Sequence, residues 1–155
     1  MASNAPIRFE EALVIERVFD APRALVWRAL TESEMVKQWL GPKEFAALEF
    51  TLNRTPGGRW HGRMRGPDGH EHANGGVVRE VIEPEFLAYT FAWDEADGQP
   101  GREMFVTIVL EERDGKTAMR FTQAEFESRE DRDGHRDGWS QSFDKLAAYL
   151  NTLPV

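Results

Sequence analysis

The sequence has no cysteine, which removes disulfides, thiolate catalysis and cysteine-based zinc sites from consideration. It has no apolar run long enough for a membrane span, and residues 1–11 lack the apolar core of a signal peptide. It has no excess of positive charge: 19 Lys and Arg stand against 27 Asp and Glu, a formal net charge of −8. Such a chain repels phosphate backbones and anionic lipid surfaces, which argues against nucleic acid or membrane partners. There is no glycine-rich phosphate loop, no nucleophile-elbow sequence and no internal repeat. No motif calls for a resident metal or a cofactor. Together the absences predict a soluble cytoplasmic protein without a self-sufficient catalytic motif.

What is present is a core in ample supply. The chain has 155 residues, 41% hydrophobic, with ten Phe and five Trp. That length fits one domain. Order signals are few over residues 1–9, which are predicted to be a frayed tail.

The secondary-structure signals are unevenly distributed. Leu13 and Ile15 begin a strand that ends at Asp20. Pro22 then sits where a helix starts, because a missing N–H costs nothing there. Thr31 and Glu34 have the spacing of a capping box and predict a second short helix meeting the first at a corner. Residues 45–124 read as an almost uninterrupted run of strands. Trp60, Gly62 and Met64 alternate with Arg59, His61, Arg63 and Arg65, and Pro67-Asp68-Gly69 is a hairpin turn. Gly75-Gly76 predicts a bulge or sharp bend, and Asp97 to Gly101 a flexible loop. Leu87, Tyr89, Phe91 and Trp93 share one face, as do Met104, Val106, Ile108 and Leu110, and Met119, Phe121 and Gln123 close the sheet. At the end, Trp139, Phe143, Leu146, Ala147 and Leu150 form the stripe of an amphipathic helix. Gly134 and Gly138 either fray its start or mark close approach to the sheet. A curved antiparallel sheet crossed by one long helix tends to leave an apolar cavity between them.

Four stretches carry a resemblance. They are Phe19-Asp20-Ala21-Pro22 with residues 26–31; Trp39-Leu40-Gly41-Pro42; Pro56-Gly57-Gly58-Arg59-Trp60 running on to Gly66-Pro67-Asp68-Gly69; and Thr122-Gln123 followed by Gly138-Trp139 and residues 146–150. In order and spacing the chain resembles the START-like (SRPBCC) superfamily of helix-grip proteins, the birch-pollen-allergen-like fold. Within it, the chain most resembles the single-domain bacterial homologues of the activator of the heat-shock-protein ATPase. The match covers about residues 10–152. Asn53 is a departure, since this branch often has an acidic residue before its Gly-Gly turn. The resemblance implies an α+β helix-grip fold. A sheet of six or seven strands wraps a long C-terminal helix, and two short helices follow the first strand. It also implies a cavity for an apolar small molecule. Members include carriers, cyclases, resistance proteins and co-chaperone domains, so the fold does not name the chemistry.

The residues that could carry chemistry are few. His70 and His72 share a strand face, and if the hairpin pairs as expected His72 lies near Arg63 and on the same face as His61. Three imidazoles could bind zinc, but Arg63 and Arg65 would repel a cation, and solvent-facing polar residues are the better reading. Arg59, His61, Arg63 and Arg65 read as the polar outer face of a half-buried strand. The inward set is Trp60, Met64, Phe91, Trp93, Met104, Phe121, Trp139 and Phe143, which the helix-grip resemblance turns into cavity lining. An enzyme would need a polar group with a shifted pKa inside that space. Glu80 is the candidate acid–base, with Gln123 and Tyr89 behind it. Residues 125–137 mix carboxylates with arginines and read as a solvated connection and helix start, or alternatively as a pocket rim or gate.

The expectation is binding of an apolar or aromatic small molecule between sheet and helix. The alternatives are a stress-related co-chaperone-like module with a chaperone partner, and a cyclase or hydrolase using a cavity carboxylate. Monomer and homodimer remain equally open.

Overall fold

The computed structural model describes residues 12–154; the tail expected over residues 1–9 lies outside them. The elements are β1 (Leu13–Phe19), α1 (Arg23–Thr31), α2 (Ser33–Val36), β2 (Ala46–Leu52), β3 (Arg59–Arg65), β4 (Glu71–Ile82), β5 (Phe86–Trp93), β6 (Met104–Arg113), β7 (Lys116–Ala124) and α3 (Arg129–Leu150). All seven strands form one antiparallel sheet in the order β1-β7-β6-β5-β4-β3-β2. It curls into a half-barrel around α3. The expected helix-grip architecture is what the chain adopts. Among the described residues no helix is long and apolar enough to cross a membrane.

Alternation builds the sheet. In β6, Met104, Val106, Ile108 and Leu110 are buried while Phe105 and Val109 face outward. In β3, Trp60, Gly62 and Met64 point inward. Part of the basic ladder opposite them is paired on the outer face. Arg63 and Arg65 both pair with Glu71 (2.7 and 3.2 Å), and His61 lies 3.3 Å from Glu49. Register corrects one expectation: Met64, not Arg63, pairs with His72. His72 therefore lies on the inner face and His61 on the outer, so the two imidazoles cannot share a metal. Among the described residues no cluster is suited to one.

The corner after β1 also differs from expectation. Thr31 does not cap α2; it ends α1, buried, and its hydroxyl donates to the Trp27 carbonyl (2.7 Å). Glu32 takes the capping position, and Glu34 pairs with Lys37 instead. The nearest acceptor for a buried hydroxyl late in a helix is the carbonyl four residues back.

Gly75-Gly76 permits close approach rather than forming the bulge. A Cβ at Gly76 would lie 2.0 Å from the Thr90 carbonyl oxygen. Over that bare position the Trp60 indole reaches across β4 and donates to the same carbonyl (2.8 Å). The register shift itself falls later, between Val78 and Glu80. The connection after Trp93 is a hydrogen-bonded turn, with Glu95 N donating to Gln99 O (2.8 Å) and Gly101 N to Trp93 O (2.7 Å).

The closing helix α3 is longer than its apolar stripe. It starts at Arg129, capped by Ser128, whose hydroxyl accepts from Asp131 N (3.0 Å). Gly134 and Gly138 are thus interior positions, not a frayed start. Two anchors hold α3. Arg17 of β1 donates to the Ser140 carbonyl (2.9 Å) and pairs with Asp144 (2.8 Å). On the other side, Lys145 donates to the carbonyls of Gly41 (3.0 Å), Pro42 (3.3 Å) and Phe45 (3.2 Å). Ser142 accepts from Gly41 N (3.1 Å) and Gln141 from Lys43 N (2.9 Å). The α2–β2 connection is therefore bound to the middle of the helix.

Candidate functional site

The space between sheet and helix is filled at one end and open at the other. At the filled end Phe143, Leu146 and Leu150 of α3 are buried. Phe121 packs 4.6 Å from the Trp139 ring centre and 5.3 Å from that of Phe143. What remains there is a recess of about 40 Å³ among Trp60, Leu87, Tyr89, Ile108 and Phe143. That holds roughly one or two waters.

The open end is a cavity of about 490 Å³, within the range of small-molecule sites. Its walls are Met64, Asn74, Phe91 and Trp93 from the sheet, Leu40-Gly41-Pro42 from the corner, and one face of α3. That face is Asp131, Gly134, His135, Gly138, Trp139 and Ser142, the spacing of a helical stripe. The two glycines leave it unfilled: a Cβ on Gly134 would meet nothing within 4 Å, and one on Gly138 only the Pro42 ring at 3.5 Å. Leu40, Asn74, Phe91 and Trp139 border both cavity and recess.

The eight residues expected to line a pocket divide accordingly. Met64, Phe91, Trp93 and Trp139 line the cavity; Trp60 and Phe143, with Phe91 and Trp139, surround the recess. Phe121 is fully buried core. Met104 is 3% exposed and sits under the Gln123 amide (3.5 Å from Nε2 to Sδ). It borders only a second depression of about 570 Å³ that adjoins the cavity at Trp93, Glu127 and Asp131. The geometry brings four of the eight to the open space and builds the others into the packing beneath it.

Glu80 is not a buried carboxylate. It is exposed on β4, outside the cavity, because the register shift at Val78/Glu80 falls beside it. Tyr89 lines only the recess, packed edge-on to Trp60 at 5.3 Å, and burial pushes its phenol pKa up. Gln123 is fully buried and accepts from the Trp139 indole (2.8 Å). It orients that ring rather than facing a ligand. Burial lowers the Lys145 pKa, but its ammonium is committed to the three carbonyls of the corner.

Two features escaped the reading of the sequence. The first is a clasp at the mouth, where the Trp93 indole donates to His135 Nε2 (2.9 Å). His135 Nε2 must then be unprotonated, placing the ring proton on Nδ1, 2.9 Å from the Asp131 carbonyl. The clasp ties β5 to α3, with Phe126 packed on the imidazole (5.1 Å). The second is Asn74, 5% exposed and lining the cavity. The rim was the sequence's alternative for residues 125–137, and Glu127, Glu130 and Asp131 do line the mouth. A signal for the helix start was available in Ser128 three residues before Asp131.

Comparisons with known proteins agree with this architecture. The sequence profile of the family described as activator of Hsp90 ATPase homolog 1-like protein matches residues 20–151. Among solved structures, the AHSA1 protein from Silicibacter pomeroyi is 26% identical with a TM-score of 0.84, over 91% of this chain and 98% of that one. A protein from Nitrosomonas europaea is 26% identical with a TM-score of 0.79, over 94% and 97%. A solution structure from Arthrobacter aurescens, 24% identical with a TM-score of 0.83 over 95% and 90%, shares the fold. No curated protein matches the chain.

Proposed function

The chain belongs to the activator of Hsp90 ATPase homolog 1-like family, and within it we propose that this protein binds an apolar or aromatic small molecule in the cavity over Phe91, Trp93 and Trp139. The observation that carries this reading is the contrast in filling. The same sheet and helix close to a recess of about 40 Å³ at one end and leave about 490 Å³ at the other. Bare helix positions at Gly134 and Gly138 maintain the opening.

Burying one large apolar group contributes about 1.5–3 kcal/mol. A ligand covering three rings and Met64 thus reaches roughly micromolar affinity after the costs of association. A cytoplasmic setting belongs to this proposal. The test is titration with fatty acids, sterols, flavonoids and aromatic polyketides, followed by tryptophan fluorescence. Saturable quenching or a blue shift by one chemical class is expected, and Trp93→Phe should reduce the signal. A flat response across all classes would overturn it.

Family membership favours a second reading, a co-chaperone-like interaction module. Pull-down with a purified Hsp90-type chaperone and measurement of its ATPase rate tests that reading. Neither retention nor a rate change would remove it.

A further inference from the structure

The binding reading above says nothing of the ligand's charge or polarity; the walls do, and the following inference rests on that reading. We propose that the cavity takes an amphipathic cation: an aromatic amine whose rings lie against Phe91, Trp93 and Trp139, whose ammonium faces the carboxylates at the mouth, and whose inner end carries a hydroxyl or similar group bound by Asn74.

The inner end is argued from Asn74. It is 95% buried, being only 5% exposed. It lines both the cavity and the recess, and among the described residues no hydrogen bond reaches its side-chain amide. The polar side-chain atoms sealed in the core without a partner, among the described residues, are Arg23 Nε and Trp27 Nε1, not the Asn74 amide, which faces the cavity space. Room is made for it: the residue opposite on β3 is Gly62, where a Cβ would come 2.9 Å from Asn74 Oδ1. A free amide between aromatic walls offers both a donor and an acceptor.

The outer end is argued from charge. The formally charged side chains lining the cavity are Glu127, Glu130 and Asp131; among the described residues no lysine or arginine lines it. Arg102, in the adjoining depression, donates to the Glu125 carbonyl (2.6 Å). The start of α3 does not invite an anion either. Ser128 satisfies the Asp131 amide, and Glu130 and Asp131 occupy the first turn, offsetting the helix dipole. His135 accepts from Trp93 at Nε2, and its Nδ1 lies 3.5 Å from Asp131 Oδ1. A fatty acid would bring its carboxylate to three others. An ammonium gains from the carboxylates at the mouth.

The experiment is calorimetry at low and high salt with four probes on one scaffold: hydroxynaphthyl-ethylamine, its alcohol and carboxylate counterparts, and the amine without the ring hydroxyl. The amine should bind roughly fivefold tighter than the alcohol, as two partly exposed charge contacts allow, and the carboxylate weakest. High salt should erase the order. The double variant Glu127→Gln/Glu130→Gln, at two exposed positions, should lose the preference for the amine and keep the affinity for the alcohol. The hydroxyl should strengthen binding of the amine in the wild type and not in Asn74→Leu. Equal binding of amine, alcohol and carboxylate would overturn the charge assignment and leave the pocket standing. Equal binding with and without the hydroxyl in the wild type would overturn the Asn74 anchor. Binding of none of the four would overturn the pocket reading and this inference with it.

Discussion

Along α3, Phe143, Leu146 and Leu150 are buried against the sheet, while two turns earlier Gly134, His135 and Gly138 stand over an open cavity. Both stretches lie on one continuous helix and face one continuous sheet. They differ in what the helix presents. Large apolar side chains interdigitate at one end, and at the other the small residues are held off the sheet by specific polar contacts. At the open end order comes from the Trp93–His135 clasp, and at the middle of the helix from Gln141, Ser142 and Lys145 on the corner. The contrast shows how a helix-grip fold can be stable and still hollow: close packing is concentrated in one half of the helix, and hydrogen bonds help position the other.

The largest break in this comparison should come from the packed end. Phe143→Ala should cost about 3–5 kcal/mol, the range for truncating a buried aromatic, read by denaturant unfolding. A loss under about 1 kcal/mol would show that the packed end is not what holds the fold. Trp139→Phe sits at the boundary. It keeps most of the ring packing and leaves the buried Gln123 carbonyl without its donor, so about 1–3 kcal/mol is expected. Equal stability would mean that the amide finds another partner. At the open end the sign reverses. Gly134 is helical with no neighbour to strike, so Gly134→Ala should stabilise by up to about 1 kcal/mol; destabilisation would contradict the open space assigned there.

The smallest effect should fall outside both regions, on the β3–β4 hairpin. The Asp68 carboxylate, 2.9 Å from His70 Nδ1, raises the imidazole pKa above its ordinary 6.5, and the pairing lowers that of Asp68. The His70 contribution to stability is present below 6.5 and lost as pH rises through the raised value; on the acid side it fades as Asp68 protonates. Asp68→Asn should return the His70 midpoint, read by NMR, toward 6.5 with ligand binding unchanged. An unmoved midpoint would dismiss the pair.

The strands and the packed half of α3 were legible because burial imposes a period. Trp60-Gly62-Met64, Met104 to Leu110, and Trp139-Phe143-Leu146-Leu150 each repeat at the spacing of their element. The open half was not legible for the same reason. A helix face over a cavity has no neighbour to exclude water from, so Asp131, Gly134 and His135 read as a solvated connection and helix start with a pocket rim only as the alternative, and Gly138 as fraying or close approach. Asn74 was hidden because a polar residue beside Gly75-Gly76 looks like part of a turn; its inward direction comes from pairing with Gly62 and Trp93. His72 was placed on the wrong face because a one-residue change in hairpin register exchanges the faces.

The central claim, that the open end is a binding cavity kept empty by its glycines, is tested most directly by filling it. Calorimetric titration of an uncharged naphthol should be compared between wild type and Gly134→Leu, with a thermal melt of each. The account predicts saturable binding to the wild type, and loss of that binding in a variant that melts no lower. Equal affinity in both proteins would place the ligand elsewhere and contradict the account.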